Sequence, residues 1–300
     1  MKSFFPVLYY KKKLHYIIRK GTFIMAAKKR IGFIDLFIDE WHANNYPKWF
    51  REAKRSGEFE LGYAWEAETR EGLRNLQQWC AEMGMTPASS IEEVVENSDC
   101  ICVLAPSNPE AHEWLAELPL KSGKPVYIDK PFADSQSAAE RLFTLAEKYN
   151  TPLMSSSALR FSDELLSGKV QEMKPHLFCT TGSGSTFDEY GIHQLEMVVS
   201  VMGTDVKNIK FTGDAKKLTL ALEYGNGNLA QVAYSACLPF SITACNEKSA
   251  VTFSQMNRMF NNLIDSMLDF FADGKSRVPK EETICIATLL EKSVAMLHGK

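Results

Sequence analysis

The sequence predicts a two-domain α/β protein: a parallel sheet with helices on both faces, then an α+β half built on an open antiparallel sheet. Three observations predict it. Short apolar runs alternate with amphipathic helical stretches from about residue 31 to 155, the pattern of βαβ crossovers. After residue 160 strand-like runs follow one another between turns. Finally, 300 residues are too many for one ordinary core and suit two domains.

In order, Ile31-Gly32-Phe33-Ile34-Asp35-Leu36 reads as the first strand. Residues 44–55 read as a helix stopped near Gly57, and residues 59–65 as the second strand. Residues 69–83 read as a helix burying Leu73, Leu76, Trp79 and Cys80 on one face. Ser89-Ser90 ahead of Ile91-Glu92-Glu93 is a capped helix start with acids in its first turn. Residues 99–104 form the third strand, 108–118 a helix, 125–128 the next strand, 135–149 a long amphipathic helix and 152–155 a short strand. Right-handed crossovers then give a doubly wound, Rossmann-like sheet, which binds ligands outside the carboxyl ends of its strands. Asp35-Leu36, Trp65-Glu66, Ala105-Pro106-Ser107 and Asp129-Lys130-Pro131 should therefore line one rim.

In the second half, residues 176–182, 206–211, 218–224 and 229–238 read as antiparallel strands, with a helix over 191–202. Met256, Met259, Phe260, Leu263, Ile264, Met267 and Leu268 keep helical spacing, and residues 281–297 form a last helix. The expected division is a leader at 1–24, a dinucleotide-type domain at 25–155 and a substrate and oligomerisation domain at 156–300.

Charge separates the leader from the rest. Residues 1–30 hold nine Lys/Arg and no acid, so the remainder carries a formal −12 against −3 for the whole chain. An acidic body does not attract nucleic acid phosphates. Apolar residues precede Lys11-Lys12-Lys13, the reverse of a secretory signal. Met25-Ala-Ala-Lys-Lys-Arg-Ile is the expected true start, with residues 1–24 outside the native fold. No apolar run reaches the ~20 residues that cross a bilayer, so no membrane partner is expected. The seven cysteines are scattered without a C-x-x-C pair, which points to reduced thiols, a cytoplasmic location and no metal site.

Two stretches carry chemistry. Asp129-Lys130-Pro131 ends a buried strand, where proline stops further pairing and a lysine can donate to a ligand oxygen. In Tyr190-Gly191-Ile192-His193, Glu189 lies four residues before His193 and Glu196 three after it. A carboxylate beside the imidazole should raise its pKa and suit it to proton transfer. The order Asp99…Ala105-Pro106-Ser107…His112…Gly123-Lys-Pro-Val-Tyr-Ile-Asp129-Lys130-Pro131…Arg160-Phe161…Tyr190-Gly-Ile-His193…Gly203 resembles the Gfo/Idh/MocA oxidoreductases. The resemblance spans residues 30–298. It implies an NAD(P)-binding domain followed by an antiparallel-sheet domain, with hydride transfer at a hydroxyl carbon of a sugar, inositol or related polyol. It implies that Lys130 holds the substrate and that His193 is the acid/base, with Glu189 its carboxylate partner. Ala105, Pro106, Ser107 and His112 match the segment beside the nicotinamide, Asp129 stands for the usual glutamate, and Arg160 joins the cofactor-side residues. A homo-oligomer, dimer or tetramer, is implied as well.

One segment departs from the pattern. Where the family has G-x-G-x-x-G/A, this chain has Ile34-Asp35-Leu36-Phe37-Ile38-Asp39-Glu40-Trp41-His42, without a glycine after Gly32. Asp35, Asp39 and Glu40 would repel a diphosphate there. Asp35, Leu36 and His42 are the candidates for an altered cofactor pose, and Glu66 the candidate for the adenosine ribose. The alternative is a cofactor-free ligand-binding or regulatory protein on the same scaffold.

Overall fold

The computed structural model describes residues 18–19, 22–23 and 27–299. Strands β1 (Ile18–Arg19) and β2 (Thr22–Phe23) pair antiparallel. These four residues fall within the expected leader, residues 1–24; its remaining residues and the expected start at Met25 lie outside the described residues.

The first domain is a six-stranded sheet of β3 (Lys29–Asp35), β4 (Phe59–Glu66), β5 (Thr86–Pro87), β6 (Cys100–Val103), β7 (Val126–Ile128) and β8 (Leu153–Met154). Its order is β5-β4-β3-β6-β7-β8, and every neighbouring pair is parallel. Helices α1 (Trp41–Glu52), α2 (Leu76–Met83), α3 (Ile91–Asn97), α4 (His112–Lys121) and α5 (Gln136–Lys148) make the crossovers. The doubly wound Rossmann-like fold read from the sequence is thus present. Strand order reverses between β3 and β6, so a crevice opens beyond their carboxyl ends. Gly32 serves packing rather than a ligand: a Cβ there would lie 2.3 Å from Ser98 Oγ and 2.6 Å from Val94 on the α3 side.

Several helices begin elsewhere than expected, among them the one expected over 108–118, which starts at His112, and the one expected over 191–202, which starts at Phe187. α1 starts at Trp41, not near Asn44, because the Glu40 carboxylate caps it by accepting from the His42 and Ala43 N–H groups. That cap brings His42 into the first turn. α2 covers only the end of the expected 69–83 helix: Asn75 and Gln78 form a reciprocal capping box, and Leu73, expected on the buried face, is exposed. Strand β5 was not legible, being two exposed residues that include Pro87.

The second domain holds α6 (Asp163–Leu166), α7 (Lys169–Glu172), β9 (Leu177–Gly182), α8 (Phe187–Met202), β10 (Val206–Asp214), β11 (Lys217–Tyr224), β12 (Leu229–Ser235), β13 (Ser241–Cys245) and β14 (Ala250–Phe253). The order β10-β11-β12-β9-β13-β14 is antiparallel except where β12 runs parallel to β9. The wholly antiparallel expectation is corrected at that pair, because α8, β10 and β11 intervene in sequence and let the chain return in the same direction. Helices α9 (Met259–Asp273) and α10 (Lys280–Leu297) close the chain. α9 turns back to the first domain, where Leu263, Met267, Phe270 and Phe271 share a core with Phe33, Phe50 and Trp79. Full burial of side chains of this size stabilises by about 1.5–3 kcal/mol each, and here it locks the two halves around the crevice.

Candidate active site

A cavity of about 540 Å³ lies between the halves at the crevice. The first half contributes Trp41, His42, Pro106, Ser107 and Lys130; the second contributes Leu159, Glu189, Tyr190, His193, Phe240 and Phe260. A groove of similar volume between β10 and α10 contains none of the rim residues.

Asp129, buried at the end of β7, organises the floor. One carboxylate oxygen meets His42 Nδ1; the other accepts the Lys130 N–H at 2.8 Å and lies 3.5 Å from the Tyr127 hydroxyl. Burial opposes the charge, but His42 and Lys130 outweigh it and hold this carboxyl below its usual range. The Lys130 ammonium donates to the Pro106 carbonyl at 3.3 Å, across the crevice between the ends of β6 and β7. The Lys130–Pro131 peptide is cis.

His193 projects from α8 into the same cavity. Its Nδ1 lies 2.7 Å from the Ser157 hydroxyl. Burial, reinforced by Lys130 and His42, drives its pKa well below the usual value. The expected Glu–His pairing is corrected on both sides. Glu189 instead accepts from Ser107 Oγ at 2.6 Å and Ser185 Oγ at 3.0 Å, spanning the two domains. Glu196 is buried with Ser156, the Ser157 N–H and Arg160. Neither carboxylate meets the imidazole, so burial decides its charge and the pKa falls rather than rises.

Several expected cofactor residues face elsewhere. Arg160 is buried between Glu196 at 3.0 Å and Glu282 at 2.6 Å, tying α8 to α10. Both His112 ring nitrogens meet backbone carbonyls, Leu104 O at 2.5 Å and Phe132 O at 3.0 Å; burial outweighs those contacts and lowers its pKa. Leu36 packs into the core behind the sheet. The Glu66 carboxylate accepts from the Ile38 N–H at 3.1 Å and from Thr69 Oγ1 at 2.6 Å, so it holds the loop after β3. Asp35 is buried and accepts from the Ala105 N–H at 3.0 Å and the Phe37 N–H at 3.2 Å. Burial, with Glu40 nearby, pushes its carboxyl well above the usual range. Those bonds pin Ala105 at φ 59°, a left-handed conformation that costs an alanine about 1 kcal/mol or more and turns Pro106-Ser107 toward the cavity. Of the expected residues, His42, Pro106, Ser107, Lys130, Glu189 and His193 line the cavity, with Asp129 behind His42. Trp41, Ser157, Phe240 and Phe260 were not anticipated. Only Ser157, in the run Ser155-Ser156-Ser157 ahead of Arg160-Phe161, stood near a recognised motif.

The fold and cavity define a two-domain protein with a doubly wound parallel sheet and with His42, Lys130 and His193 gathered beside its switch point. The family model described as "Oxidoreductase family, NAD-binding Rossmann fold" (GFO_IDH_MocA) matches residues 53–157. The uncharacterized oxidoreductase YhhX of Escherichia coli K12 is 24% identical over 134 residues, 38% of this chain and 39% of YhhX. The match thus spans well under half of that curated relative. Among solved structures, the UDP-N-acetylglucosamine 3-dehydrogenase GnnA of Acidithiobacillus ferrooxidans superposes with TM-score 0.74 at 13% identity, covering 90% of this chain and 97% of that one. The WlbA dehydrogenase of Bordetella pertussis, in complex with NADH and UDP-GlcNAcA, gives TM-score 0.72 at 16% identity, covering 91% and 97%. Within its first domain, residues 53–157 are thus similar to the Gfo/Idh/MocA oxidoreductase family, and the whole chain shares the fold of the two dehydrogenases.

The family's dinucleotide meets this chain unevenly. Pro106, Ser107 and Lys130, which line the cavity, would stand beside its reactive end. The diphosphate end does not fit in the usual pose. A Rossmann helix offers its first N–H groups to the diphosphate, but here the N–H groups of His42 and Ala43 are taken by Glu40, that of Phe37 by Asp35 and that of Ile38 by Glu66. The family match begins at residue 53, after this segment.

Proposed function

We propose that the chain is an oxidoreductase acting at a hydroxyl carbon of a sugar, inositol or related polyol, with NAD or NADP as the hydride partner. The carrying observation is that Lys130 and a neutral His193 line one cavity of about 540 Å³. The Lys130 ammonium orients a hydroxyl oxygen and favours its anionic form. His193, neutral because it is buried, takes the hydroxyl proton when the alcohol is oxidised and returns it in reduction. The Ser157 hydroxyl can donate to or accept from Nδ1, so it supports either tautomer. Glu189 accepts from the Ser107 hydroxyl and so joins the two domains at the edge of the cavity. When bound, a nicotinamide ring supplies the hydride chemistry.

The capped start of α1 favours a second function, a cofactor-free ligand-binding or regulatory protein. One measurement separates the two: titration of the full chain with NADH and NADPH, followed by nicotinamide fluorescence and melting temperature. The oxidoreductase binds one of them below millimolar concentration; absence of binding at millimolar cofactor overturns that function and leaves the second. We also propose a cytoplasmic homo-oligomer, dimer or tetramer, to be checked by light scattering after gel filtration. All seven cysteines are free, and no described helix is long and apolar enough to cross a membrane.

A further inference from the structure

We infer that His42, oriented by Asp129, is a second acid/base residue of this cleft, carried in by the segment that replaces the glycine-rich loop. Glu40 fills the start of α1 with its own carboxylate, so the helix begins at Trp41 and the next side chain stands in the cavity. His42 is almost fully buried, and its Nδ1 is held by Asp129 Oδ2. No hydrogen bond reaches its Nε2 among the described residues, and the ring is a wall of the cavity that Lys130 and His193 also line.

The surroundings fit an oriented base. From its own helix Tyr46 stacks under the ring at 5.2 Å and 15°, and the Glu40 carboxylate takes the His42 backbone N–H. From β7 come Asp129 and Lys130, with Tyr127 behind Asp129. From α8 comes His193, which lines the same cavity. A carboxylate that accepts Nδ1–H fixes the tautomer with an open lone pair at Nε2. That nitrogen takes a proton from a bound hydroxyl, Asp129 balances the imidazolium, and the proton returns to the ligand oxygen or to water. The cleft then has two bases on opposite walls, His42 from the first domain and His193 from the second. A ligand with two hydroxyls, such as a vicinal diol of a sugar or polyol, spans them.

This role rests on the cleft being the reaction site proposed above, whereas its test needs neither cofactor nor substrate, so the two fail separately. Full-length chain with ¹⁵N-labelled histidine should show His42 protonated at Nδ1 and bare at Nε2, assigned by its loss in His42→Gln. Diethyl pyrocarbonate, mapped by peptide mass spectrometry, should acylate His42, and Asp129→Asn should slow that modification about tenfold by offering Nδ1 an N–H and inverting the tautomer. The role is overturned if wild-type His42 carries its proton on Nε2, or if it stays unmodified after the half-exposed His298 has reacted. The tautomer measurement uses the wild-type chain and stands even if Asp129→Asn does not fold. A chain that passes both tests and binds no NADH keeps this role and loses the redox function.

Discussion

The two ends of the rim differ sharply. At the end of β7, Lys130 lines the cavity together with His193 of α8, supported from behind by Ser156, Ser157, Arg160 and Glu196. At the end of β3 the helix start is filled by Glu40, Asp39 is locked by Arg74, and Trp41 and His42 stand at the cavity. Both ends occupy the same fold position, beyond the carboxyl ends of parallel strands. A sheet fixes where side chains converge and leaves open what they hold. Here one end carries Lys130 and His193, the pair to which the proposed function gives the proton chemistry, and the other has a carboxylate-capped helix start that brings His42 to the cavity.

The largest effect should come from behind the retained end. Arg160→Met leaves Glu196 buried without its cation, which should cost about 3–5 kcal/mol in urea unfolding. A loss below about 1 kcal/mol would mean that the network does not hold α8 in place. Next, Lys130→Ala and His193→Ala should each lower kcat/KM on any polyol substrate by about 10²–10³-fold, with NADH affinity within about twofold. Loss of NADH binding in both would move these residues from the chemistry to cofactor binding.

Smaller effects probe the replaced end. Arg74 holds the Asp39 carboxyl far below its usual range through side-chain and backbone hydrogen bonds. Asp39→Ala should cost about 1–2 kcal/mol at neutral pH. Because the folded pKa is depressed, this contribution is complete above the unfolded value of about 3.9 and is lost as pH falls through the folded one. The stability gap between wild type and Asp39→Ala should therefore close in acid; a constant gap would assign it to packing. The smallest change is Glu40→Gln, which keeps an oxygen for the helix start and removes a charge that burial already disfavours. Stability should move by less than about 1 kcal/mol, while NADH binding should tighten about three- to tenfold. Weaker binding would mean that Glu40 contacts the cofactor rather than excludes its diphosphate.

Much of this was legible in the chain. Alternation of apolar runs with amphipathic helices gave the parallel sheet, since period and length decide which segments bury one face and which bury two. Turn chemistry marked Asp129-Lys130-Pro131, and motif order joined it to His193. The helix read over 44–55 starts earlier, at Trp41, because Glu40 reaches forward to cap its first N–H groups, a contact that helical period does not reveal. Leu73 was misjudged because helical spacing says nothing about a chain that becomes helical only at Leu76.

By itself, then, the sequence determined the parallel sheet of the first domain, the placing of Pro106, Ser107 and Lys130 on its rim and the absence of glycine from the loop after β3. These depend on local period, propensity and backbone freedom, which neighbouring residues carry. Only the tertiary structure decided which groups meet. It set His42 on Asp129 across 87 residues, turned Glu189 to Ser107 and left His193 to Ser157. Partner choice and burial fix a side chain's charge, and both arise when distant segments pack, so spacing along the helix could suggest a carboxylate beside His193 but could not place one there.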